Sequence, residues 1–207
     1  MIDYWTRYSD RLIDATVEHV QIVGIVLLIS ILIAGSVIVL LERYPKLLNG
    51  SIYFFSVIYS VPSMALFALL IPLTGLGRTT AIVVLVIYCQ YILLRSFNTA
   101  LLEVDPLMIE TATGMGMTPQ QIFSKIQLPL ASKGIIAGIK VAAISTIGIT
   151  TIAATINAGG LGTILFDGMR TSSLVKLSWG TLLTAGLCLL VNLLLYLVER
   201  FVVRVEI

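Results

Sequence analysis

The stretch Glu110–Pro129, ETATGMGMTPQQIFSKIQLP, decides how this chain is read. It is the one long polar, turn-rich segment of an otherwise apolar sequence, and its local chemistry predicts two short helices. Just upstream, Asp105-Pro106 supplies an N-cap followed by proline at the first helical position, where a missing N–H costs nothing. The helix started there runs to Met115 and stops at Gly116, which tolerates the left-handed conformation that ends helices. Thr118-Pro119-Gln120-Gln121 starts the second: Thr118 caps, Pro119 takes the first position, and Gln121 stands where a capping-box partner belongs. Ile122, Phe123 and Ile126 give it an apolar stripe, and Pro129 is expected to prevent its easy continuation. The plainer alternative is a pair of amphipathic helices lying on a membrane surface. Such an anchor would be more basic, whereas Lys125 is the only cation between Arg95 and Lys133.

The rest of the chain sets that segment in a membrane. A mean hydropathy of +1.03, with 58% hydrophobic and 12% charged residues, lies outside the soluble globular class. A formal net charge of +2 argues against a nucleic-acid partner. Cys89 and Cys188 fall inside apolar runs and read as small hydrophobic packers, neither a metal site nor a disulfide framework. The first apolar run follows a tail carrying Asp3, Arg7, Asp10, Arg11, Asp14 and Glu18. It is too long for a signal-peptide core and is expected to be a retained span.

Five runs are long enough to cross a hydrocarbon core, which takes about twenty apolar residues: Val20–Leu41, Ile52–Ile71, Thr79–Leu94, Gly134–Ile156 and Trp179–Val198. The expected fold is therefore all-α and polytopic, with about five transmembrane helices. Residues 1–19 form an N-terminal tail, and 20–207 form one transmembrane domain with its polar loop at 103–130. The third run is short and holds Gln90, so it is expected to extend into Arg95 and Ser96 or to be shielded by neighbours. The fourth is small on nearly every face (Gly134, Ala137, Gly138, Ala142, Ala143, Ser145, Gly148), which suits close packing inside the protein. With the polar loop inside, the inner side collects Arg43, Lys46, Arg95, Lys125, Lys133, Arg200 and Arg204 against Arg7, Arg11, Arg78, Arg170 and Lys176 outside. This bias places the N-terminus outside and the C-terminus inside.

Within the spans, Pro62 removes a backbone hydrogen bond and is expected to bend the second helix, with Ser60 or Ser63 accommodating the freed carbonyls. Thr155-Ile-Asn-Ala-Gly-Gly-Leu-Gly162 reads either as a simple helix end with a turn or as a purposeful break in which Asn157 satisfies backbone groups. Lys140, the formal charge well inside a span, is expected to pair with a carbonyl or carboxylate of a neighbour or to snorkel. His19 reads as a plain interfacial residue, and Asn192 as an interhelical hydrogen-bonding group. Tyr59, Ser60, Pro62, Ser63, Thr146, Thr150 and Asn157 are the candidate lining of a translocation path, with hydroxyls, carbonyls and aromatic faces offering weak contacts. The chain has no G-x-x-x-x-G-K-[ST], no H-E-x-x-H and no G-x-S-x-G, so neither an ATP-binding loop nor a catalytic constellation is found.

The spacing of Glu110, Thr111, Ala112, Gly116, Ile126, Leu128 and Pro129 resembles the EAA loop of ABC-importer permeases: Glu-Ala-Ala, three residues, Gly, nine residues, Ile-x-Leu-Pro. Threonine at 111 is the one departure. The segment 155–162 resembles the Gly-Ala-Gly-Gly-Leu-Gly run of permeases for glycine betaine, choline and carnitine and of their methionine relatives, with Asn157 in place of the first glycine. Residues 59–77 are similar to the second span of the same osmoprotectant group. The resemblance implies a type I permease of methionine-importer-like fold in a bacterial or archaeal cell membrane, itself not an enzyme. It further implies a second permease subunit, identical or not, and a dimer of ATP-binding subunits that dock on the EAA loops and hold ATP and Mg²⁺. A separate extracytoplasmic solute-binding protein completes the set. The implied cargo is a compact osmoprotectant, with an amino acid such as methionine as the alternative. A secondary transporter or channel would call for ionisable residues or an inverted repeat in the spans, and Lys140 is the single such feature.

Overall fold

The computed structural model describes residues 2–204, and side chains within 3–201. No strand occurs among them. The helices are α1 (Ile2–Leu41), α2 (Pro45–Tyr59), α3 (Ser63–Thr74), α4 (Arg78–Leu102), α5 (Pro106–Gly114), α6 (Pro119–Ile122), α7 (Leu128–Ala153), α8 (Gly162–Arg170) and α9 (Leu174–Arg204). A π turn, Phe123–Gln127, joins α6 to α7, and a 3₁₀ turn, Ala154–Ile156, ends α7. Four helical stretches are long and apolar enough to cross a membrane, or five if the bent pair of α2 and α3 is counted as one span.

The core forms around α4, which contacts α1, α2, α3 and α7. Leu93, Leu94 and Phe97 of α4 meet Ala34 and Ile38 of α1, Leu48 of α2, Phe123 and Ala142. Further along α4, Ala81, Val84 and Tyr88 meet Phe67 of α3 with Ala153, Ile156 and Ala158. Small residues bring α4 and α7 together: a Cβ on Gly134 would lie 2.6 Å from Ala100 Cβ, and one on Gly138 only 2.4 Å from Ser96 Cβ. By contrast α9 is mostly exposed, presenting Leu182, Leu189, Leu190, Leu193, Leu194 and Leu197. Such an apolar surface suits hydrocarbon chains and not water.

Helix begins well before the first apolar run: α1 covers Ile2–Leu41 as two helical pieces joined across a kink at Tyr8, whose backbone is non-helical (φ −132°, ψ 21°). Two expectations from sequence are corrected here. The second run is not one bent helix: α2 and α3 meet at 97°, with Ser60 the C-cap of α2 and Pro62 the N-cap of α3. Proline without an N–H opens a helix more easily than it continues one. Pro129 does not stop the helix before it. The π turn ends with the Leu128 N–H bonded to the Phe123 carbonyl, which leaves Pro129 at the start of α7, where its missing donor is tolerated. Residues 119–156 therefore form one long helical stretch.

Other expectations hold. The third run does extend to Leu102, and Gln90 is buried with its amide donating to the Ser30 and Val86 carbonyls at 3.4 Å each. Lys140 does pair with a carboxylate, Glu199 of α9, and its ammonium lies 5.5 Å from the Tyr196 ring centre. The two half-buried charges offset each other's desolvation.

The α4–α7 contact yields a paired test. Gly138→Ala should destabilise the isolated chain in detergent by about 1–3 kcal/mol through overpacking against Ser96. Gly148→Ala, with nothing within 4 Å of the added methyl, should stabilise it by roughly 0.5–1 kcal/mol through helix propensity. Thermal unfolding of both variants checks the sign, and equal shifts would contradict the packing.

Candidate functional site

Local capping builds the polar loop. Asp105 accepts the Leu107 N–H at 2.9 Å and starts α5. The helix closes with the Met115 N–H on Thr111 O at 3.0 Å and the Met117 N–H on Ala112 O at 3.1 Å. Between them Gly116 stands at φ +79°, a conformation in which any side chain is strained. Thr118 and Gln121 form a reciprocal capping box: the Gln121 N–H donates to Thr118 Oγ1 at 3.4 Å, and the Thr118 N–H to Gln121 Oε1 at 2.8 Å. The result is a tight helix–turn–helix.

Its candidate residues divide by direction. Glu110 and Thr111 are exposed, and the Thr111 hydroxyl donates to Leu107 O at 2.7 Å. Ala112 is fully buried, so a small residue is required there for packing. Gly116 is exposed at the turn, Ile126 and Pro129 are half-buried, and Leu128 is partly exposed. Ile122 and Phe123 point inward, Phe123 reaching the core beside Phe97. Exposed beside Glu110 are Leu107, Met108 and Met115.

The candidate path residues are only partly brought together. At the α2–α3 break the Ser60 hydroxyl donates to Val57 O at 2.7 Å, and Ser60 and Pro62 are exposed. Tyr88 donates its hydroxyl to the Val61 carbonyl. Tyr59 packs against Tyr88 at 5.4 Å and Tyr91 at 5.1 Å between ring centres, and Arg95 donates to the Tyr91 hydroxyl at 2.7 Å. Ser63 is half-buried at the start of α3, and Asn157 is exposed in the left-handed region at φ +67°. Thr146 and Thr150 do not line an open surface. Thr150 is fully buried, donating to Thr146 O at 2.7 Å, and Thr146 faces Cys89 Sγ at 3.9 Å. They belong to a polar seam with Ser30 and Gln90 between α1, α4 and α7. The open stripe of α7 instead carries Ala137, Val141, Ile144 and Gly148, and Thr155 of the 3₁₀ turn is exposed beyond it. A helix that is small on all sides has no apolar stripe to reveal its direction, so the packing of α1, α4 and α9 settles it.

Two clusters were not anticipated. His19 is no interfacial residue: it is fully buried, with Nε2 3.1 Å from the Ile147 carbonyl and Nδ1 accepting the Leu161 N–H at 3.3 Å. Beside it Glu18 accepts the Gly160 N–H at 2.9 Å. At the same end of the molecule Asp167 of α8 meets Lys176 at 2.9 Å, Arg170 at 3.2 Å and Arg11 at 3.3 Å. Hydrogen bonds from Lys176 and Arg170 hold its carboxyl below the usual carboxylate range. Helix α8 is a short amphipathic element between two spans, where periodicity in residues 162–170 was the available signal.

Residues 26–204 match the family model of the binding-protein-dependent transport system inner membrane component. The choline transport system permease protein OpuBB of Bacillus subtilis (strain 168) is 33% identical over 200 residues, covering 97% of this chain and 92% of that one. The carnitine transport permease protein OpuCB of Listeria monocytogenes is 34% identical over 170 residues, covering 82% and 78%. The inward-facing MetNI methionine ABC transporter superposes with a TM-score of 0.82 at 24% identity, over 92% of this chain and 95% of that one, a likeness of fold. With its bent α2–α3 pair, its helix–turn–helix and a family match across most of its length, this multi-pass membrane chain belongs to the ABC-transporter permeases of the binding-protein-dependent inner membrane component family.

Proposed function

We propose that this permease carries compact osmoprotectants, such as glycine betaine, carnitine and choline, inward across a bacterial or archaeal cell membrane. The observation that carries the reading is the exposed helix–turn–helix of residues 106–122, continuous with a membrane-crossing helix. The names of the similar choline and carnitine permeases support the choice of cargo. The likeness to the methionine transporter is one of fold and gives methionine no comparable support.

In this mechanism two permease subunits face each other, and a separate ATPase dimer holds ATP and Mg²⁺. Each ATPase receives the Glu110–Gly116 turn with Leu107, Met108 and Met115 in a surface cleft. The N-terminus lies outside, where a separate solute receptor delivers its cargo, and the C-terminus lies inside. ATP binding draws the two loops together, and because α6 continues through the π turn into α7, the pull tilts a membrane helix directly. The path runs along the α7 stripe of Val141, Ile144 and Gly148 and past Tyr59, Ser60 and Pro62 at the α2–α3 break. A zwitterion or quaternary ammonium gains weak contacts from hydroxyls, carbonyls and aromatic faces and leaves again readily.

Reconstituted in liposomes with a partner ATPase and a solute receptor, the chain should accumulate labelled choline, carnitine or glycine betaine in an ATP-dependent manner. Uptake of methionine alone would overturn the choice of cargo. In the same system Gly116→Val should insert normally while uptake and receptor-stimulated ATP hydrolysis fall together, because a β-branched residue strongly disfavours φ +79°. Undiminished stimulation in that variant would remove the turn from coupling.

A further inference from the structure

Glu18 and His19 are consecutive residues of α1, and both grip the backbone that follows α7. Glu18 Oε2 takes the Gly160 N–H at 2.9 Å and His19 Nδ1 takes the Leu161 N–H at 3.3 Å. With Nδ1 accepting, the ring proton resides on Nε2, which donates to the Ile147 carbonyl at 3.1 Å. The imidazole thus bridges α7 itself and the loop beyond it. The approach is close: a Cβ on Gly159 would lie 2.5 Å from Glu18 Oε2, and one on Gly160 3.0 Å from His19 Nδ1. Both glycines also have positive φ, +86° and +77°. The two glycines therefore serve two purposes, a left-handed turn and room for α1.

A loop containing the adjacent Gly159 and Gly160 is, left to itself, a pliable joint. It lies between α7, whose other end is the helix–turn–helix, and α8, which is bound to α1 through Arg11 and Asp167. Movement of α7 would dissipate in such a joint unless something fixed it. Apolar side chains would suffice for packing alone. Here a fully buried histidine instead spends both ring nitrogens on main-chain groups, and losing either bond leaves a buried polar group unpaired.

We propose that Glu18 and His19 are positioning residues of the transport cycle. They latch the end of the 119–156 helix to α1, so that movement of the helix reaches α8 and the face that receives solute. The role rests on the importer reading above, but the latch itself is testable without transport. The carrier is the full complex with Cys89→Ala and Cys188→Ala, and the reporter is Ala158→Cys, at a position 7% exposed and packed against Phe67. In lipid nanodiscs, open to reagent on both sides, His19→Ala should raise the rate of maleimide labelling at position 158 by about fivefold, the equivalent of one lost hydrogen bond. Solute moved per ATP hydrolysed in liposomes should fall by a similar factor. His19→Gln keeps one acceptor and one donor and should largely restore both. Should His19→Ala fail to assemble, Glu18→Ala carries the test, since that side chain is exposed; it should lower the transport ratio at normal yield. Unchanged labelling and ratio in the alanine variants, or no rescue by glutamine, would overturn the latch. A wild-type complex that moves no solute would overturn the importer reading, and the labelling would still decide the latch.

Discussion

Everything else in the molecule is arranged around the continuity of one helix across Pro129. A proline within a helix removes a hydrogen bond and presses its ring on the carbonyl four residues back. Here the π turn Phe123–Gln127 widens the helix just ahead of the proline, so that Pro129 falls in the first turn of α7. The 38-residue stretch from Pro119 to Ile156 is therefore roughly 57 Å long at the ordinary helical rise. Its N-terminal end is capped by Thr118 and Gln121, its middle is held to α4 by Gly134 and Gly138, and its far end is gripped by Glu18 and His19. A stiff element so held at three points suits transmission of force better than a loop joined to a separate span.

The short-range features of this fold were legible in the sequence because their causes are local. Asp105, Gly116 and the Thr118–Gln121 pair need only their own neighbours to act as caps and turn, and each does so. The apolar runs likewise announced the spans, and Lys140 announced a partner because a charge at that depth needs one. What escaped the reading depends on groups distant in sequence. Pro129 reads as a stop unless the π turn before it is known. His19 reads as interfacial unless residues 147 and 161 are known to lie beside it. Thr146 and Thr150 looked like path lining, but α1 and α4 claim that face of α7. The 97° break at Pro62 exceeds the bend that proline alone suggests, and Tyr88 of another helix donates its hydroxyl to the Val61 carbonyl within it.

The two ends of the long helix meet different requirements. At one end Leu107, Met108 and Met115 of the helix–turn–helix stand exposed. At the other, glycines at 159 and 160 let α1 approach to hydrogen-bonding distance. Between them the seam of Ser30, Gln90, Thr146 and Thr150 is polar but buried. It fixes the rotation of α7 and turns Val141, Ile144 and Gly148 outward. Work done on the loop in the proposed cycle then appears as tilt of one oriented face.

The rigidity of the 119–156 helix is tested most directly by the distance between spin labels at its two exposed ends. With Cys89 and Cys188 replaced by alanine, labels at Gln120→Cys and Thr155→Cys would be measured in the full complex without nucleotide, with trapped ATP and after hydrolysis. A rigid transmitting helix keeps that distance unchanged within the spread of the labels, while the separation between the two Gln120→Cys labels of paired permease subunits shortens on ATP binding. Shortening of the Gln120–Thr155 distance within one subunit would place a hinge at the π turn and contradict direct transmission.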